Sequence, residues 1–150
     1  MNKTLPYFIC IIHILIKLIR SLGEIGVKDI VIPCVDTSSL STNSKINLFI
    51  ENLRPIIKVA EESRINLSLE TDLPPKPFLD LLNRIDSKNV TVNYDIGNSA
   101  SLGYNSMEEL SLYGDRITDI HIKDRALGGG PVILGQGNAD FSSFFNKLKE

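Results

Sequence analysis

Several features are scarce in this sequence, and each scarcity excludes something. Cysteine is limited to Cys10 and Cys34, isolated residues without metal-ligand spacing. Both are read as reduced, buried thiols. A charge excess of one sign is missing: 16 Lys and Arg stand against 18 Asp and Glu, a net charge of −2. A nucleic-acid surface would normally show a basic patch, so nucleic acid is not an expected partner. A membrane-crossing run is missing too. The segment Leu5–Ile16 is very apolar, but His13, Lys17 and Arg20 interrupt it or follow closely. It is shorter than the roughly 20 residues a spanning helix needs, and no small-residue cleavage site follows. The reading is an amphipathic helix ending at Gly23 or Gly26, with His13 as a packed core residue, no membrane partner and a cytoplasmic location. No glycine-rich turn of the dinucleotide-binding type follows the first expected strand.

What is present is an ordinary globular composition over 150 residues, enough for one domain with a core. The most informative stretch is Val90–Asn98. Val90, Val92 and Tyr94 alternate with Thr91, Asn93 and Asp95, a strand with one apolar and one polar face. A strand in a helix-covered parallel sheet should be apolar on both faces, so a polar row ending in a carboxylate points into a site. Two neighbours repeat the pattern. Arg64–Glu70 sets Asn66, Ser68 and Glu70 on one face, and Thr118–Lys123 sets Asp119, His121 and Lys123 on one face. Glu70, Asp95 and His121 thus fall at three strand ends, 25 and 26 residues apart.

The rest of the chain reads as alternating strands and helices. Lys28–Val35 is a β-branched strand with Pro33 near its end. Ile46–Glu62 has helical periodicity, with Pro55 expected to kink or divide it. Pro75 or Pro77 can open a helix carrying Phe78, Leu79, Leu81, Leu82 and Ile85. Residues 97–103 read as a loop, and Ser106–Glu109 as a capping box opening a short helix that ends at Gly114. A long glycine-rich loop spans 124–138, and Asp140 is the expected N-cap of a last helix. Such alternation implies a parallel α/β sheet with right-handed crossovers. It is either an open doubly wound sheet or an arc of a (β/α)8 barrel, about four strands of one. A whole barrel takes about 250 residues.

In either architecture the strand ends share one crevice. Adjacent strands lie about 4.8 Å apart, so Glu70, Asp95 and His121 can converge on one ion. A carboxylate-rich set with one imidazole suits Mn²⁺, Mg²⁺ or Co²⁺ better than a thiolate metal. The alternative is three unrelated polar residues at strand ends.

The segments Leu69–Leu73, Asn93–Asn98, Asp119–Arg125 and Leu134–Phe141, in this order, resemble the sugar phosphate isomerase/epimerase group of xylose-isomerase-like TIM barrels. Ile30–Asp36 is similar to the preceding barrel strand of that group. The resemblance runs from about residue 20 to the C-terminus. It implies a partial (β/α)8 barrel, a single incomplete domain over 1–150. It implies a divalent metal, Mn²⁺ first with Mg²⁺ or Co²⁺ as alternatives, held by Glu70, Asp95, His121 and a further glutamate on a last strand. Glu70 would also act as the base that takes the proton α to a ketose carbonyl, leading through an enediolate to isomerisation or epimerisation. Lys123 and Arg125 could hold a substrate oxygen or phosphate; the other reading is a solvated pair. Asn98 is a substrate-side candidate, standing where some epimerases of the superfamily carry histidine.

The sequence departs from the family pattern. It stops at Glu150, before the expected fourth ligand, and lacks the first barrel strands. The expectation is therefore weak or no turnover by the isolated chain, with self-association possible through open sheet edges. The competing readings are a non-catalytic fragment or assembly module of the same fold, an abasic-site endonuclease of the superfamily, and a dehydratase acting on a polyol-derived ketone. The endonuclease class is histidine-rich, whereas this sequence has only His13 and His121.

Overall fold

The computed structural model describes residues 4–149, the side chains of 4–10 excepted; Cys10 therefore lies outside the described side chains. Helix α1 spans Thr4–Glu24, strand β1 Asp29–Cys34, helix α2 Asn43–Ser63, strand β2 Asn66–Thr71 and helix α3 Pro75–Ile85. Strand β3 follows at Val90–Asp95, then helices α4 (Ile96–Leu102) and α5 (Ser106–Tyr113), strand β4 (Ile117–His121) and helix α6 (Phe141–Lys147). The four strands form one sheet in chain order, β1-β2-β3-β4, every pair parallel. A doubly wound sheet reverses its strand order at a switch point. This one does not, and the architecture is an arc of a (β/α)8 barrel. No described helix is long and apolar enough to cross a membrane.

The core lies between the sheet and its helices. Leu67, Leu69, Val90, Val92 and Tyr94 point to that side, all buried. They meet Ile50, Leu53, Ile56, Phe78, Leu81 and Phe144 in one cluster. Tyr94 and Phe144 stack with ring centroids 4.9 Å apart. The alternate residues form a polar face. Ser68, Thr91 and Thr118 hydroxyls contact one another at 2.7–3.0 Å, and the Asp29 carboxylate accepts from Asn66 and Ser68. A register shift between Val92 and Asn93 gives β4 an extra residue against β3. Such a bulge re-aims the side chains beyond it, and here Asp95 ends opposite His121.

Four local expectations change. First, Pro55 sits inside an unbroken α2. Its exposed position leaves the carbonyl one turn back, on exposed Glu51, to water. Second, His13 is exposed rather than packed, because Ile12, Leu15, Ile16, Ile19 and Leu22 form the buried stripe of α1. Third, residues 97–103 are not a loop but most of α4. The Asp95 side chain caps α4 by accepting the Asn98 N–H at 2.9 Å, and Gly103 ends it in the left-handed region (φ 76°). Fourth, the cap of α5 is Asn105, whose side chain accepts from Met107 and Glu108 N–H. Glu109 turns inward instead of closing a capping box.

Glu109 is buried, and its carboxylate accepts from the Tyr94 hydroxyl (2.7 Å), the Tyr113 hydroxyl (2.8 Å) and Ser99. Burial, then the Glu109 charge, push both tyrosine hydroxyls far above their ordinary pKa. This cluster ties α5 to α4 and to the strand that carries Asp95. Glu109→Gln should destabilise the chain by about 1–3 kcal/mol, because one hydroxyl is left facing an amide that cannot accept from all three donors. A urea unfolding midpoint, compared with the unchanged chain, checks this.

Candidate metal and substrate site

Glu70 is the penultimate residue of β2, while Asp95 and His121 are the final residues of β3 and β4. Parallel, in-order pairing brings them to one rim. One ligand-capable atom from each lies within 4.8 Å of the others. His121 Nδ1 is 3.5 Å from Glu70 Oε2 and 3.6 Å from Asp95 Oδ2. Both carboxylates are buried, and the imidazole is partly open.

Burying two like charges side by side requires compensating donors. Glu70 has one amide on each oxygen: Asn98 Nδ2 donates to Oε1 at 2.8 Å and Asn93 Nδ2 to Oε2 at 3.0 Å. Asn93 Nδ2 also lies 3.2 Å from His121 Nδ1. Its own Oδ1 is buried without a hydrogen-bond partner. Asp95 receives the Asn98 N–H on Oδ1 and the Lys123 ammonium on Oδ2, the latter at 2.6 Å.

The cluster fits a divalent cation. A metal about 2.0–2.2 Å from an imidazole nitrogen and carboxylate oxygens sets those donors roughly 3.0–3.6 Å apart, close to the spacing around His121 Nδ1. An oxygen-rich set with one nitrogen suits a hard or borderline ion. Cys34 is no rival ligand. It is buried, and burial together with the Asp72 charge pushes its thiol up to about 12.

Glu70 of this cluster also lines a cavity of about 370 Å³, together with Asp36, Asp72, Asn98, Lys123 and Arg125. Glu70, Asp95, His121, Asn98, Lys123 and Arg125 therefore all lie in this cluster or along this cavity. Three of them are already engaged within the chain. Arg125 Nη1 donates to Asn98 Oδ1 at 2.7 Å and Nε to the Gly129 carbonyl, so Asn98 bridges Arg125 to Glu70. Lys123 holds Asp95.

The loop that presents Arg125 is organised by Asp124, which sequence reasoning passed over. Asp124 is buried, and its carboxylate accepts the N–H groups of Gly135, Gly137 and Ala139 at 2.8–3.1 Å. A Cβ on Gly137 would collide with that carboxylate and with the Arg125 carbonyl. Asn93 was legible as part of a polar row, but not as the donor behind the cluster. Glu109 was hidden by its fit to a capping pattern.

An in-order parallel arc defines a (β/α)8-type protein, and two carboxylates and an imidazole gather at its strand ends in a group that could hold a metal ion. Residues 11–150 match the family model described as xylose isomerase-like TIM barrel, and the chain belongs to that family. It is 33% identical over 119 residues to the "Putative L-ribulose-5-phosphate 3-epimerase SgbU" of Haemophilus influenzae, covering 70% of this chain and 41% of the relative. It superposes on a xylose isomerase domain protein from Planctomyces limnophilus with a TM-score of 0.78 at 17% identity, over 92% of this chain and 52% of that one. The match to the IOLI protein, solved with a zinc atom, has a TM-score of 0.77 at 21% identity, over 93% and 56%. The chain spans about 40% of the curated relatives it matches.

Burial raises the Asp124 pKa, but the N–H groups of Gly137, Ala139, Gly135 and Arg125 outweigh it and hold the carboxyl below its ordinary value. A depressed folded-state pKa gives stability that is present above the unfolded value, about 3.9. That stability is lost as pH falls through the folded-state value. Asp124→Asn should speed hydrogen exchange at Gly135, Gly137 and Ala139 at neutral pH. It should also flatten the acid dependence of that exchange below about pH 4. Exchange measured by NMR across pH checks both.

Proposed function

We propose that residues 1–150 form a single incomplete barrel domain of a metal-dependent isomerase or epimerase of a sugar or sugar phosphate. The observation that carries this reading is the convergence of Glu70, Asp95 and His121 to within 4.8 Å of one another, with Glu70 also lining a polar cavity. In this reading Glu70, Asp95 and His121 hold the ion, Mn²⁺ first with Mg²⁺ or Co²⁺ as alternatives. When bound, such an ion would draw electron density from a ketose carbonyl and its neighbouring hydroxyl.

The chain's own residues supply the rest. Glu70 belongs both to the cluster and to the cavity lining. It is the base that takes the proton from the carbon α to the carbonyl. The amides of Asn93 and Asn98, one on each oxygen, hold its carboxylate in place. Delivery of that proton to the adjacent carbon gives isomerisation; delivery from the opposite face by a second acid gives epimerisation. Asn98, Lys123 and Arg125 bind substrate oxygens at the cavity wall, and their cations oppose the negative charge that develops on the two oxygens.

The share of the relatives covered by this chain favours a second reading for the isolated polypeptide, metal binding with little turnover. Titration with Mn²⁺ should show one site per chain. Asp95→Ala should weaken it by more than about 100-fold, beyond the usual loss from an outer-shell partner. Ketose epimerisation, followed by NMR of the sugar, should be slight in both. Equal metal binding by Asp95→Ala would remove the site from this rim, and brisk turnover by the isolated chain would overturn the second reading.

A further inference from the structure

Asp95 Oδ2 faces two partners at once. It is 3.6 Å from His121 Nδ1, inside the proposed ligand triangle, and 2.6 Å from the Lys123 ammonium. The other oxygen, Oδ1, is committed to the α4 cap through the Asn98 N–H. The carboxylate is 2% exposed, whereas the Lys123 side chain is 49% exposed. Lys123 thus reaches inward from the rim to neutralise a sealed charge.

Its backbone is closely packed. Gly97 packs against it so closely that an added Cβ would lie 2.9 Å from the Lys123 carbonyl carbon. The ammonium sits at the end of a flexible four-carbon stem. Lys123 also lines the cavity shared with Glu70 and Asn98.

We propose that Lys123 is a tethered counter-ion: it occupies Asp95 Oδ2 until a divalent metal displaces it, and the freed ammonium then turns into the cavity to meet a substrate oxygen. This rests on the metal-site reading above. An ammonium and a divalent cation repel one another and compete for the same oxygen, so binding the ion requires Lys123 to leave. No covalent bond changes. The positive charge is exchanged at Oδ2, and the lysine remains protonated.

The consequence runs against the usual effect of removing a short ion pair, since loss of Lys123 should tighten metal binding. Calorimetric titration of the full chain with Mn²⁺ and with Mg²⁺ should show Lys123→Gln binding about tenfold or more tightly, because one opposing charge is gone. Lys123→Arg, which keeps the charge, should stay within about threefold of the unchanged chain. A second measurement does not depend on the Gln variant folding with Asp95 unpaired. Saturating Mg²⁺ should shift the Lys123 side-chain methylene NMR signals of the unchanged chain. Equal or weaker binding by Lys123→Gln, or unmoved Lys123 signals at saturation, would overturn the counter-ion role and leave the metal site standing. If the unchanged chain and Lys123→Gln both bind neither ion, the metal-site reading falls and this inference with it.

Discussion

Two carboxylates buried on neighbouring strands are the constraint around which this molecule is arranged. A sealed negative charge is tolerable only when donors or cations surround it, and two of them side by side double the demand. Asn93 and Asn98 each give an amide to Glu70, one on each oxygen. Asp95 takes a backbone N–H on one oxygen and an ammonium on the other. Supplying those donors accounts for much of the local architecture. Helix α4 starts where it does because Asp95 caps it. The 124–139 loop is clamped by Asp124 so that Arg125 reaches Asn98. The orphaned Asn93 oxygen is the remaining imbalance. An unmet buried acceptor costs about 1–3 kcal/mol, so Asn93 stands there for its donor and not for its acceptor.

The polar face continues down the sheet. Barrel interiors are commonly filled by branched apolar side chains. Here the layer below the cluster is Ser68, Thr91 and Thr118, joined through their hydroxyls and anchored to Asp29. The apolar driving force is therefore one-sided, supplied by Leu67, Leu69, Val90, Val92 and Tyr94 against the helices. Stability and site chemistry are carried on opposite faces of the same strands.

Strand alternation is why the site was legible from sequence. A period of two is local, so Asn66–Ser68–Glu70 and Thr91–Asn93–Asp95 declare a shared face without any tertiary information. The same alternation in Asp119–His121–Lys123 placed His121 with them. What escaped notice depended on which way a side chain or carbonyl faces in the folded chain. The segment Gly97–Leu102 is rich in small polar residues that read as loop, and it becomes a helix because a strand-end carboxylate caps it. Glu109 matched a capping box, but three buried hydroxyls outbid the backbone for it. Pro55 was expected to interrupt a helix that runs on, because the carbonyl it strands faces solvent. The site residues Asn98, Lys123 and Arg125 were found as residues, but their engagement with Glu70 and Asp95 is a matter of distance, which no spacing rule supplies.

Strands β1 and β4 each have a described partner on one flank only. Parallel pairing is head-to-tail, so a second copy docking its β1 on the free flank of β4 would present a fresh β4 of its own. Growth by that route ends only if sheet curvature returns the last strand to the first, as it would after eight strands in a closed barrel. With any other curvature the same contact repeats without limit and yields an open filament. Were copies to pair in this way, the bend of the arc, more than the strength of any edge hydrogen bond, would decide between a finite ring and a fibre.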